Sequence, residues 1–305
     1  MMRTTLKRWW DSDLCWSWRH APVAMCATLV LVLMLVGAFG AGWVAPHNPF
    51  DLVSVELLDA LLPPAWDGNG QGKYLLGTDS QGRDLYSAIL YGTRVSLLIG
   101  VASVALSMLI GVVLGLISGY AGGRIDAFIM RVADVQLSFP AILIALLIDG
   151  VARAVVPRDM HEIIAFPVLV GAIALAGWPQ YARTVRGSTL VEKNREYVQA
   201  ARVIGVPSLV IMFRHVLPNV TGPVLVLATV HLATAIITEA TLSFLGVGVP
   251  PTAPSLGTLI RIGNDFLFSG EWWITIFPGA ALVLLVLSVN LVGDWLRDAL
   301  NPRLN

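Results

Sequence analysis

Gly77-Thr78-Asp79-Ser80-Gln81-Gly82-Arg83-Asp84 is the stretch whose residue types come nearest to a phosphate loop. Such a loop ends in Lys-Ser/Thr, the lysine reaching the outer phosphates and the hydroxyl holding Mg²⁺. Arg83-Asp84 stands there instead, and Gly72-Lys73 lacks both the upstream glycine and the following Ser/Thr. ATP is therefore not bound by that means, and uphill movement of a solute would draw on an ion gradient or on another subunit. Other chemistry is equally thin. G-x-S-x-G, H-E-x-x-H and Cys-x-x-Cys patterns are absent. Glu239, in Thr238-Glu239-Ala240-Thr241 at the end of an apolar segment, carries two readings. An ionisable group in a span is costly and usually faces a cavity or a partner, which makes it a candidate pore or gate residue. The other reading is a helix-end residue bonded to a loop. His231, a turn or two deeper, is a second pore candidate or a polar contact between helices. No second His, Cys or carboxylate lies at ligand spacing from it, so no metal site is read.

The strongest local signal is the polar stretch 183–219. Tyr197, Val198, Ala200, Ala201 and Ile204 fall at helical spacing, and Gly205 follows where a helix ends. Pro207 suits the first turn of a second helix, with Leu209, Met212 and Phe213 as its apolar stripe and Pro218 at the entry to the next segment. Two short helices meeting at a glycine are expected. Their apolar stripe, bordered by Arg195, Arg202 and Arg214, fits a groove on another protein; an amphipathic helix lying on a membrane surface is the competing reading.

These residues hang on long apolar segments. A membrane span needs roughly 20 apolar residues, and charge-free runs cover Ala21–Pro46, Val95–Gly123, Ile163–Ala182, His215–Thr238 and Trp272–Gly293. Ala127–Ile148 is a sixth, interrupted by Arg131 and Asp134. The first run is too long for a secretory-signal core of about 7–15 residues and is read as an uncleaved helix. With the N-terminus inside, fourteen basic residues fall on inner segments and six on outer ones, which puts both termini in the cytoplasm. Trp178, Trp272, Trp273 and Trp295 are read as interfacial aromatics near helix ends. Gly111, Gly115 and Gly119 form a small-xxx-small row, read as packing inside the bundle. Pro140, Pro167, Pro179 and Pro223 are candidate kinks.

Composition agrees with a lipid-embedded chain. Of 305 residues, 56% are hydrophobic and 13% charged, against about 45–50% and about 25% in soluble domains, and the mean hydropathy is +0.74. Twenty basic residues balance twenty acidic ones, which argues against a nucleic-acid partner. Two cysteines, Cys15 and Cys26, are no disulfide framework.

Gln199-Ala200-Ala201, three residues, Gly205, nine residues and His215-Val216-Leu217-Pro218 resemble the EAA loop of ABC-importer permeases. That motif has Glu where Gln199 stands and Ile where His215 stands, and Glu196 lies one turn earlier as a candidate for the polar role. Leu76–Asp84, Gly92–Leu97, Glu239–Gly246 and the end from Trp272 to Pro302 resemble the C-subunit type of the dipeptide/oligopeptide/nickel branch. The resemblance runs from the first span to the C-terminus. It implies an all-α membrane protein of the type I ABC importer permease fold, with six transmembrane helices and a cytoplasmic coupling loop at 183–219. The implied organisation is a cytoplasmic tail (1–20), a first transmembrane helix (21–46), a periplasmic loop (47–93) and a core with five transmembrane helices (94–305).

The implied function is passage of di- or oligopeptides, glutathione or nickel chelates across a bacterial inner membrane. Glu196, Gln199, Ala200, Ala201, Gly205, Phe213, His215 and Pro218 would couple to the ATPase, with Gly205 as hinge. Gly77, Thr78, Asp79, Gly82, Arg83 and Asp84 would lie in the periplasmic loop, where Asp79, Arg83 and Asp84 form either a fixed network that supports the second span or meets the binding protein, or a self-bonded turn. Implied partners are a second homologous permease, two ABC ATPase subunits and a periplasmic solute-binding protein, with ATP and Mg on the ATPases and no cofactor on this chain. An ion-gradient-driven transporter or channel, and a membrane enzyme, are the alternatives outside the family.

Overall fold

The computed structural model describes residues 13–51 and 56–299. The basic flank Arg3, Lys7 and Arg8, and Asn301, Pro302 and Arg303 of the last stretch, lie outside the described residues. Ten helices carry the described chain: α1 (Asp13–Arg19), α2 (Pro22–Phe39), α3 (Leu85–Ala121), α4 (Gly123–Leu137), α5 (Ala141–Val155), α6 (His161–Glu192), α7 (Glu196–Val203), α8 (Ser208–Phe244), α9 (Leu256–Asn264) and α10 (Trp273–Ala299). Single turns at Ala41–Val44, Leu57–Asp59 and Arg158–Met160 complete them. Strand-like pairing among the described residues is limited to the bridge between Thr78 and Asp84.

Helices α2, α3, α6, α8 and α10 are each long and apolar enough to cross a membrane, and the pair α4/α5 is a sixth span if counted as one. The run Ala127–Ile148, expected as one span, is two helices that break at Pro140, one of the candidate kinks. It bends by 95° at Ser138–Pro140, because the proline restricts the residue before it and caps α5 rather than continuing α4. Three further differences have local causes. α3 begins at Leu85, ten residues before its charge-free run. Arg94 fits inside it because its guanidinium donates to the carbonyls of Ala38 (2.8 Å) and Phe39 (3.1 Å). Trp178 sits within α6, buried, and donates to Gln136 Oε1 at 2.9 Å, so it is not interfacial. Pro218 interrupts nothing: α8 runs on from Ser208 through a π-helical stretch, Ile211–Val216, into the span. The i→i+5 bonding of that stretch moves side chains off the 3.6-residue period. Met212 is buried while Leu209 and Phe213 are exposed, so the three do not share one stripe.

By internal contacts the chain divides into residues 1–98 with 239–305, and residues 99–238. In the first unit α10 packs along α2 and α9. In the second, α4 and α5 pack on α6, and the small-residue row lets α3 touch α6 backbone to backbone. A Cβ on Gly115 would lie 2.5 Å from the Ala182 carbonyl oxygen and one on Gly111 2.6 Å from that of Trp178. The row is internal packing, as read from the sequence.

Candidate functional site

The loop between α6 and α8 is an elbow built on one apolar core. Val198 and Ala201 of α7 are buried against Ile211, Met212 and Val216 of α8 and Val185 of α6. Glu196 opens α7, where a carboxylate faces the positive end of the helix dipole. At the far end the Val206 N–H bonds the Ala201 carbonyl and the Gly205 N–H bonds that of Arg202, each at 3.0 Å. This is the paired closure of a Schellman cap, and it requires the left-handed Gly205, at φ +80.

Polar contacts fix the elbow further. The Tyr197 hydroxyl lies 3.0 Å from Glu192 Oε2 and 3.3 Å from the His215 carbonyl, and accepts from Asn219 Nδ2 at 3.0 Å. Burial, and then the bond to the Glu192 carboxylate, raise the Tyr197 phenol above its ordinary pKa. Lys193 Nζ donates to the Gly119 carbonyl at 2.7 Å, and the Arg202 guanidinium lies 5.0 Å from the centre of the Tyr120 ring. Of the residues expected to couple, Ala201 is inside; Glu196, Gln199, Ala200, Phe213 and Pro218 are exposed and His215 is half-buried. Beside them an apolar surface stands uncovered: Val203 is 87%, Ile204 78% and Leu209 69% exposed.

Gly77 to Asp84 form a turn bonded within itself and tied to neighbouring segments. Asp79 accepts from the backbone N–H of Gln81 and Arg83 and pairs with Arg83 Nε at 2.7 Å, both side chains being buried. Arg83 Nη1 also donates to the Pro251 carbonyl at 3.1 Å. Asp84 caps α3, accepting from the Ser87 N–H at 2.9 Å. Thr78 bonds the Leu62 backbone in both directions, and its carbonyl accepts from Trp273 Nε1 at 3.2 Å. Gly77 (φ +82) and Gly82 (φ +78) supply the two left-handed residues this turn requires.

The two pore candidates both lie on α8, and each has its own partners. Glu239 is completely buried in the first unit, accepting from Ser96 and Ser243 hydroxyls at 2.7 Å each, with Ser255 as a third partner. His231 belongs to the second unit, half-buried, with Nε2 2.6 Å from Gln180 Oε1 and its ring edge-on to Tyr181. Sequence reasoning placed Tyr197 on the loop helix but missed its hydroxyl contacts, and it missed Gln180, Asn219 and the two-pronged ion pair of Arg186 with Asp126 (2.5 and 2.7 Å). The last joins residues 60 apart in the chain, and no spacing rule marks such a pair.

Residues 111–305 match the model of a family described as the binding-protein-dependent transport system inner membrane component. The chain belongs to that family. This permease is 40% identical over 300 residues to the Di/tripeptide transport system permease protein DppC of Pseudomonas aeruginosa, covering 98% of this chain and 92% of that protein. It is 37% identical to the Oligopeptide transport system permease protein OppC of Bacillus subtilis (99% and 92%). It is 36% identical to the Glutathione transport system permease protein GsiD of Pectobacterium atrosepticum (99% and 93%). Among solved structures it is similar to an inward-facing MetNI methionine ABC transporter, with a TM-score of 0.55 at 18% identity over 70% of this chain and 96% of that one. The permease is thus a multi-pass membrane protein of the type I ABC importer permease fold.

Proposed function

We propose that this permease forms half of the translocation path of an ATP-driven importer for di- or oligopeptides or a peptide-like solute such as glutathione. The observation that carries the reading is the elbow: Val198 and Ala201 of α7 are locked into the core, while Val203 and Ile204 at its end and Leu209 at the start of α8 stand uncovered, with Glu196 and Gln199 of α7 also exposed. An apolar knob with a polar rim is the form a protein groove accepts. Two cytoplasmic ATPase subunits, holding ATP and Mg, fit that role. A second, homologous permease supplies the other half of the path, and a periplasmic binding protein delivers the solute. The excess of basic residues on one set of loops supports cytoplasmic termini in a bacterial inner membrane. Names of relatives sharing 36–40% identity over nearly the whole chain support the solute class.

In the mechanism, closure of the ATPases displaces the elbow. Because α7 and the start of α8 share one core, the displacement passes into α8 without a joint at Pro218. The spans then exchange inward- and outward-facing arrangements as a rocking motion. The test is Ile204→Asp with Leu209→Asp in the assembled importer. The variant is expected to lose its ATPase subunits on purification and its dipeptide uptake while staying in the membrane. Retained ATPases, or wild-type uptake that survives ATP depletion while an ion gradient stands, would overturn the reading.

A further inference from the structure

Most exposed side chains on the spans are what lipid would accept. Leu29 and Leu33 on α2, Leu109 on α3 and Val283 on α10 are each more than 60% exposed and apolar. The second unit holds a departure from this pattern that is uncharged. A cleft there is lined by Ser103 and Ser107 of α3, Gln180 of α6, and His231, Thr234 and Thr238 of α8, alongside six residues without polar side chains. His231, Thr234 and Thr238 recur at intervals of three and four, which puts them on one face of the helix. Exposed polar groups at span depth are costly against hydrocarbon and belong where water or protein covers them.

The hydrogen bonding says more. Thr234 and Thr238 spend their protons on the carbonyls of Val230 and Thr234, leaving oxygen lone pairs open to the cleft. Gln180 meets His231 through its carbonyl, leaving its NH₂ group to donate. Ser103 is fully buried at the cleft wall, and its hydroxyl has no partner. The lining thus offers donors and acceptors together, the complement of an amide, and contains no Asp, Glu, Lys or Arg.

We infer that this cleft is a water-filled stretch of the solute path, where passing amide groups are held by neutral hydrogen bonds. The inference rests on the import reading above and adds the place and chemistry of contact. A lining without formal charge holds a solute loosely enough to release it and does not discriminate by the charge of its side groups.

Thiol labelling tests it. In the assembled importer, with Cys15→Ser and Cys26→Ser as background, Thr234→Cys and Thr238→Cys are exposed in membrane vesicles to a membrane-impermeant methanethiosulfonate. Leu109→Cys is the comparator, since it lies two residues from Ser107 and so on the opposite side of α3. Either path cysteine is expected to react about tenfold or more faster than the comparator, as water-filled and lipid-filled surroundings require, and to be slowed by dialanine delivered on the binding protein. Both reacting as slowly as Leu109→Cys, with and without ATP, would overturn the inference by showing a dry face. Fast labelling that dialanine leaves unchanged would overturn the amide contact. Fast labelling in vesicles that import no dialanine would uphold the wet cleft and sink the peptide reading instead.

Discussion

Replacing Gly205 in turn by Asn, Ala and Val isolates what the elbow asks of its glycine. A Cβ there would meet nothing within 4 Å, so no side-chain clash enters. What remains is the backbone at φ +80, a conformation costing an L-residue roughly 1–2 kcal/mol. Asparagine visits it more readily than alanine, and a β-branched side chain resists it most. If the chain abandons the left-handed turn, it loses the two 3.0 Å closing bonds, from Val206 to Ala201 and from Gly205 to Arg202, each worth about 0.5–1.5 kcal/mol. Since about 1.4 kcal/mol is tenfold in a population, alanine should thin the capped elbow by about that factor. ATP-driven dialanine uptake in vesicles should follow Gly ≥ Asn > Ala > Val, with uptake lost in Gly205→Val. The amount of subunit in the membrane should be unchanged, because no span loses a contact. Uptake at the native rate in Gly205→Val, or Asn as damaging as Val, would refute the claim that backbone conformation is what the position supplies.

Two further outcomes are expected. Glu239→Ala strips the Ser96 and Ser243 hydroxyls of their shared acceptor, at about 1–3 kcal/mol for each group left unpaired, so the purified permease should melt earlier, while Glu239→Gln keeps most of the loss away; equal melting of the two would show that the carboxylate is no latch. Tyr197 contributes through its neutral hydroxyl, and its folded pKa is raised, so its contribution is whole below the ordinary phenol value of about 10 and is lost as pH rises through the folded value; Tyr197→Phe should lack that alkaline loss of stability, and an unchanged alkaline profile would refute it.

How much of this was legible depended on the range of each interaction. Apolar length located the spans α2, α6 and α10, because hydrocarbon thickness acts on local composition alone, though α6 continues ten residues past its charge-free run. The same rule misplaced the start of α3, because Arg94 is accommodated by carbonyls of another helix. The glycine row and the helix break at Gly205 were readable, since each is a local backbone requirement. The π-helical stretch was not, and it is why Leu209 and Met212 part company. The cleft was legible only at His231, a pore candidate from the start: Ser103 and Gln180 come from two other helices, and in sequence they look like ordinary polar interruptions of apolar runs.

Gly205 read from sequence as a hinge takes on another character once its surroundings are known. A hinge needs slack on at least one side, and here both sides are committed. Val206, just past the turn, packs against the same core that holds Ala201 just before it, so bending at the glycine would open apolar contacts as well as the two closing hydrogen bonds. The elbow therefore favours moving as a block, and the glycine's role is to make the corner tight rather than loose. A tight corner suits transmission better than a flexible one, because displacement absorbed in a hinge is displacement that never reaches α8.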